Sequence, residues 1–156
     1  MYIKNLSIII SLIFLTVAYS QENDGWLTDY EKVYAKSVKE NKPIMANFTG
    51  SDWCGWCIRL KKEVFNHEKF KVWSDDKIIL VELDFPRRKK LEPNILNQNR
   101  ELARIFGVTG YPTCWLVKPQ ILENSKVNFL KLGKLGYVAG GTDKWISVAE
   151  KFLIKN

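Results

Sequence analysis

A short apolar run, Ile44 to Phe48, breaks into the turn-rich tetrad Thr49-Gly50-Ser51-Asp52 and is followed almost at once by Cys54-Gly55-Trp56-Cys57. The run has the length and the bounds of a buried strand. Beyond the tetrad, Cys57, Leu60 and Val64 recur at helical spacing, with Arg59, Lys61, Lys62 and Glu63 off that face. A strand therefore feeds a turn that feeds a helix, and Cys54 opens the helix. Few folds place two thiols one helical turn apart at such a junction.

The remaining segments alternate in type. Asp24 to Asn41 predicts a helix, with Thr28 placed to cap it and Pro43 closing it. Asn66 is placed to cap a second short helix carrying Phe70 and Trp73. Ile78 to Phe85, almost wholly apolar and bounded by Asp75-Asp76 and Pro86, is the strongest strand. After a basic loop, Pro93-Asn94 leads into a helix ending near Phe106-Gly107. Thr113 to Val117 and Val127 to Leu132 are strands whose link, with Pro119 and Asn124-Ser125, suits a hairpin. Gly140-Gly141-Thr142 starts a last helix bearing Trp145, Val148-Ala149 and Phe152. Strands separated by helices pair in parallel and a hairpin pairs antiparallel, so this order predicts an α/β sandwich on a mixed sheet of four strands.

The first twenty residues read as an export signal. Lys4 supplies a positive start, Leu6 to Val17 an apolar run, and Ala18-Tyr19-Ser20 the small residues before a cleavage point at Gln21. The run is shorter than the roughly 20 residues a bilayer span needs. Removing residues 1–20 from 156 leaves 136, residues 21–156, the size of one domain. The expected location is periplasmic or secreted. The formal net charge of +7 favours acidic partners, but the basic residues are scattered and no nucleic-acid motif occurs.

Three cysteines are too few for a disulfide framework. Cys54 and Cys57 instead suit thiol–disulfide exchange with no bound cofactor beyond their own disulfide. A helix N-terminus offers unpaired N–H groups and the positive end of the dipole, and both favour a thiolate. Cys54, at the first turn, is the expected exposed nucleophile, and Cys57, one turn deeper, the resolving thiol. A Cys₃His zinc site from Cys54, Cys57, Cys114 and His67 is the competing chemistry, but a second closely spaced ligand pair is missing. No metal is expected.

Trp53-Cys54-Gly55-Trp56-Cys57, preceded by Phe48 and followed 55 positions after Cys57 by Pro112 within Gly110-Tyr111-Pro112-Thr113, resembles the thioredoxin superfamily. It is most similar to the exported thioredoxin-like proteins of bacteria, over nearly all of residues 25–155. The resemblance implies a three-layer α/β/α sandwich and a cis peptide at Tyr111-Pro112 beside the cysteines. It also implies that the backbone before the proline pairs with substrate like an added strand. Expected partners are exported cysteine-containing proteins and an upstream electron donor or acceptor.

Two departures from the family pattern bear on mechanism. Where the family often carries a buried aspartate that accepts the resolving thiol's proton, this chain has Asn47, which cannot titrate. Where the neighbouring strand often has a lysine, it has Glu82. Ile78, Leu80 and Glu82 alternate onto one face, so Glu82 is a candidate replacement base for Cys57, against a strand-end carboxylate in water. The second departure is Gly55-Trp56 in place of the common Gly-Pro. Trp53 and Trp56, with Tyr111 and Pro112, are expected to contact substrate, although Trp53 also suits core packing. Cys114 reads as a buried small hydrophobe and His67 as a surface residue at a helix start. The 87–90 run reads as a solvated loop, with docking to an acidic partner or to lipid headgroups as its other use. The function implied is a thiol–disulfide oxidoreductase of reductase or isomerase type, with a non-catalytic binding protein of the same fold as the alternative.

Overall fold

The computed structural model describes residues 25–121 and 127–154, and the export signal expected at residues 1–20 lies outside the described residues. The elements are β1 (Trp26–Leu27), α1 (Tyr30–Glu40), β2 (Ile44–Thr49), α2 (Gly55–Leu60), a π-helical segment (Lys61–Phe65) and α3 (Glu68–Lys77). They continue with β3 (Ile79–Asp84), α4 (Pro93–Phe106), β4 (Thr113–Ile121), β5 (Val127–Leu135) and α5 (Gly141–Ile154).

One mixed sheet runs in the order β1-β3-β2-β4-β5. β2 is parallel to β3 and antiparallel to β4, and β4 and β5 form the expected antiparallel pair. All six residues of β2 are buried, as a strand flanked on both edges and covered on both faces must be. Alternation sorts the side chains into two cores. Met45, Leu80 and Leu116 face α3 and α5 with Leu60, Phe70 and Trp145. Ile44, Phe48, Val81 and Val117 face α1 and α4 with Val33, Leu102 and Phe106. Three layers result.

The sheet has five strands, not four. The extra strand is Trp26–Leu27, in the stretch whose periodicity predicted a helix from Asp24. Trp26 pairs with Leu80 and Leu27 with Val81, and their side chains reach opposite cores. Two adjacent apolar residues pointing to opposite faces have a strand's period of two, which a helical reading of a short stretch mistakes. Helix α1 starts only where Asp29, rather than Thr28, accepts hydrogen bonds from the Glu31 and Lys32 amides. Helix α3 likewise begins after His67, with no side-chain cap from Asn66.

β4 extends through Pro119 to Ile121. Its last β2 partner is Val117, so Pro119 sits where the strand has a neighbour on one side only, a setting that tolerates proline. In β5, Gly133 pairs with Leu116 and Lys131 with Val117, leaving a bulge at Leu132. Here α5 lies close on the sheet. A Cβ on Gly133 would come within 2.2 Å of the Phe152 ring.

Gly133→Ala is therefore expected to cost about 1–3 kcal/mol of stability by overpacking, read as a lower urea midpoint. Pairing it with Phe152→Ala is expected to cost less than the sum of the two single changes.

Candidate active site

Cys54 occupies the N-cap of α2 with extended backbone angles, and its Sγ accepts a hydrogen bond from the Cys57 amide at 3.2 Å. A capping sulfur here faces the unsatisfied N–H groups of the first turn, so negative charge on it is stabilised. Cys54 and Cys57 are joined as a disulfide with their Cα atoms 5.2 Å apart. Both are nearly buried, Cys54 at 7% and Cys57 at 4% exposure. The expected contrast between an open and a deep sulfur is thus small, since Cys54 Sγ is bonded to Cys57 and turned onto the Cys57 amide.

One wall is built on Trp53. Its indole Nε1 donates to the Phe85 carbonyl at 2.8 Å, its ring meets Tyr111 edge-on at 5.9 Å, and the Arg87 guanidinium lies over it at 3.8 Å. Phe85 also packs on Tyr111, with centroids 5.3 Å apart. The indole is seated so close to Gly50 that a Cβ there would approach it to 2.5 Å. The Tyr111-Pro112 peptide is cis, and Gly136 from the end of β5 approaches the Pro112 carbonyl.

The other wall is built on Trp56, which is 55% exposed. Its ring lies 5.2 Å from that of Tyr137, and the Arg59 guanidinium sits over both. Glu63 holds this group together. Its carboxylate accepts from the Tyr137 hydroxyl at 2.5 Å and from Arg59 Nε at 2.7 Å, and those two bonds keep its carboxyl below the usual carboxylate range. Glu63 lies in the π-helical segment, where Asn66 N donates back to Lys61 O across five residues and Thr142 Oγ1 donates to the Glu63 carbonyl. Sequence reasoning missed Tyr137 and this role of Glu63. The Arg59–Glu63 spacing of four was a readable pairing signal, whereas Tyr137 comes from the far end of the chain.

Beneath Cys57, the sheet presents a row of three residues in register: Glu82 on β3, Asn47 on β2 and Cys114 on β4. Asn47, Glu82 and Cys57 line one cavity of about 190 Å³, together with Lys61. Glu82 thus shares a cavity with Cys57. Cys114 is fully buried and its Sγ lies 3.4 Å from Asn47 Oδ1, and burial pushes its thiol well above the ordinary range. His67 lies exposed at the start of α3. The four candidate zinc ligands do not converge, and no metal-holding group occurs among the described residues.

The connecting loops are pinned. Asp84, buried at the end of β3, accepts from Ser51 N at 2.8 Å and Ser51 Oγ at 2.6 Å and pairs with Lys89 at 2.9 Å. Asp52 accepts from the amides of Arg87, Arg88 and Lys89, and these bonds, that from Arg87 foremost, hold its carboxyl below the usual range. The 87–90 run is the solvated loop expected from its composition, and its backbone is ordered. Its backbone is fastened to the segment before Cys54, while its side chains stay exposed.

A helix-capping cysteine pair backed by a buried parallel strand pair, in a chain that also holds a cis Tyr111-Pro112 peptide, defines a thioredoxin-fold disulfide centre. A family model described as thioredoxin-like matches residues 25–119, and the chain belongs to that family. The disulfide bond reductase DsbH of Chlamydia pneumoniae is 30% identical over 110 residues, covering 70% of this chain and 66% of that protein. The thioredoxin-related protein DsbJ of the same organism is 27% identical over 140 residues, 88% of this chain and 39% of that one. The chain thus spans slightly under two thirds of the first relative and about two fifths of the second. A solved DsbH oxidoreductase matches with a TM-score of 0.72 at 28% identity, over 84% of this chain and 85% of that one.

The environment of Cys114 makes a clear prediction. After reduction, iodoacetamide at neutral pH is expected to label the Cys54–Cys57 pair in the native protein and to leave Cys114 unmodified until denaturant is added. Mass spectrometry of the tryptic peptides reads the result.

Proposed function

We propose that this chain is an exported thiol–disulfide oxidoreductase that exchanges disulfides with cysteine-bearing proteins, running as a reductase or isomerase. The single observation that carries this reading is the placement of Cys54 Sγ at the N-cap of α2, within hydrogen-bond distance of the Cys57 amide. In the reduced protein the Cys54 thiolate attacks one sulfur of a substrate disulfide. A Cys54–substrate disulfide forms, and the other substrate sulfur leaves as a thiolate. Cys57 then loses its proton and attacks Cys54, closing the Cys54–Cys57 disulfide and releasing the second substrate thiolate. Two electrons pass to the substrate, and an upstream donor must return them.

Three further features support parts of this reading. The relative DsbH is a disulfide bond reductase, which favours the reducing direction. The charged start, apolar run and small residues before Gln21 favour export to the periplasm or beyond, and among the described residues no helix is long and apolar enough to cross a membrane. The shared cavity favours Glu82 as proton acceptor for Cys57, in place of an aspartate at Asn47. Trp53, Trp56, Tyr111 and Pro112 line the approach and hold the substrate segment.

Insulin reduction driven by dithiothreitol is expected to accelerate with the wild-type protein and to fall to the uncatalysed rate with Cys54→Ser; equal rates would remove the enzyme reading. As a reductase, the pair is expected at a reduction potential nearer roughly −270 mV than roughly −120 mV. Glu82→Gln is expected to slow resolution of a Cys54 mixed disulfide by about a hundredfold at neutral pH. An unchanged rate and profile from pH 6 to 9 would return Glu82 to a structural role.

A further inference from the structure

The two walls of the site share one construction, an indole covered by an arginine. Arg87 lies 3.8 Å over Trp53 on one side, and Arg59 lies 5.5 Å over Trp56 on the other. A guanidinium stacked on a ring keeps its N–H edge directed outward, where it suits a carboxylate. In the chain Cys54 lies between Trp53 and Trp56, and it is nearly buried.

The local charge is net positive. Residues 51–63 and 82–90 contain seven basic side chains and four carboxylates. Each carboxylate is engaged within the protein. Asp52 accepts three loop amides, Asp84 holds Ser51 and Lys89, Glu63 holds Tyr137 and Arg59, and Glu82 lines the cavity behind Cys57. Among the described residues, no carboxylate lies within ion-pairing distance of Arg87 or Arg88. The amides fastened to Asp52 and the Lys89–Asp84 pair fix the loop backbone beside the site. The loop backbone therefore needs little reordering when a partner binds.

We infer that the occupant of this cleft is an extended protein segment whose reactive cysteine is flanked by aspartate or glutamate. The two arginine-capped indoles select it. Apolar and ring surface receives the segment's backbone and aliphatic groups, while Arg87 and Arg88 receive carboxylates next to the cysteine. This substrate preference rests on the exchange reading given above and deepens it. The reaction is the same: a Cys54–substrate disulfide forms, and the substrate's former partner sulfur leaves as a thiolate.

Three peptides test it, identical except for aspartate, serine or lysine on both sides of one cysteine, each joined as a mixed disulfide to thionitrobenzoate. Attack by the reduced protein releases the yellow thiolate, and each rate is divided by the same peptide's rate with dithiothreitol. The aspartate peptide is expected to react about tenfold faster than the lysine peptide at low salt, since each partly exposed ion pair contributes about twofold to fivefold. In 0.5 M salt the ratio is expected to shrink to about twofold or less, because screening shortens the reach of these charges. Arg87→Gln combined with Arg88→Gln is expected to collapse the low-salt ratio in the same way. Equal corrected rates for all three peptides with the wild-type protein would overturn the preference and leave the exchange reading standing. Rates no higher than those of Cys54→Ser with every peptide would overturn the exchange reading itself.

Discussion

The structure depends on one strand being wholly removed from water. β2 has partners on both edges and a core on both faces, so its alternation cannot slip by a residue without turning a core side outward. That register decides the chemistry at its end. It directs Asn47 toward the helix that carries Cys57, and through the in-register pairs it aligns Glu82 and Cys114 beside Asn47. The polar row near Cys57 is a consequence of sheet pairing, and the same pairing keeps Cys114 shut away among apolar side chains.

The segment between β2 and α2 does more than connect them. Gly50 admits the Trp53 indole, Ser51 ties the turn to Asp84, and Asp52 gathers the amides of the basic loop. Strand end, turn and neighbouring loop thus form one body before the helix begins. A thiolate at the N-cap gains from this rigidity, since the N–H groups that stabilise it are already aimed and need no reorganisation. The aromatic walls are likewise held by polar contacts at their outer edges, Phe85 O for Trp53 and Glu63 for Tyr137.

Much of this was legible in the chain. The cysteine pair, the strand behind it and the alternation that brings Glu82 inward all follow from short-range patterns, which periodicity reports well. The failures share a cause. Trp26–Leu27 is a strand because β3 lends it an edge, and nothing within two residues can announce that. Tyr137 joins Trp56 across 81 positions, about half the chain's length, through the path of β5. The 87–90 run is solvated as expected, but the carboxylate that pins its backbone lies 35 positions upstream of Arg87, out of reach of any local pattern. Long-range partners, rather than local propensity, decided each of these.

The π-helical segment carries a consequence for how chains of this kind can vary in length. Val64 and Phe65 are neighbours, and both are buried. A regular α-helix would set them about 100° apart around its axis, from 3.6 residues per turn. The wide turn closed by Asn66 N and Lys61 O lets both point inward. A single-residue deletion between 61 and 65 would restore the tighter turn and rotate everything after it relative to the cysteines. Either Phe65 would leave its ring partners, Trp26, Phe70 and Trp145, or Glu63 would leave Tyr137. One residue of extra chain thus acts as a phase adjuster between the redox helix and the rest of the core, and losing it would dismantle the Trp56 wall with both cysteines untouched.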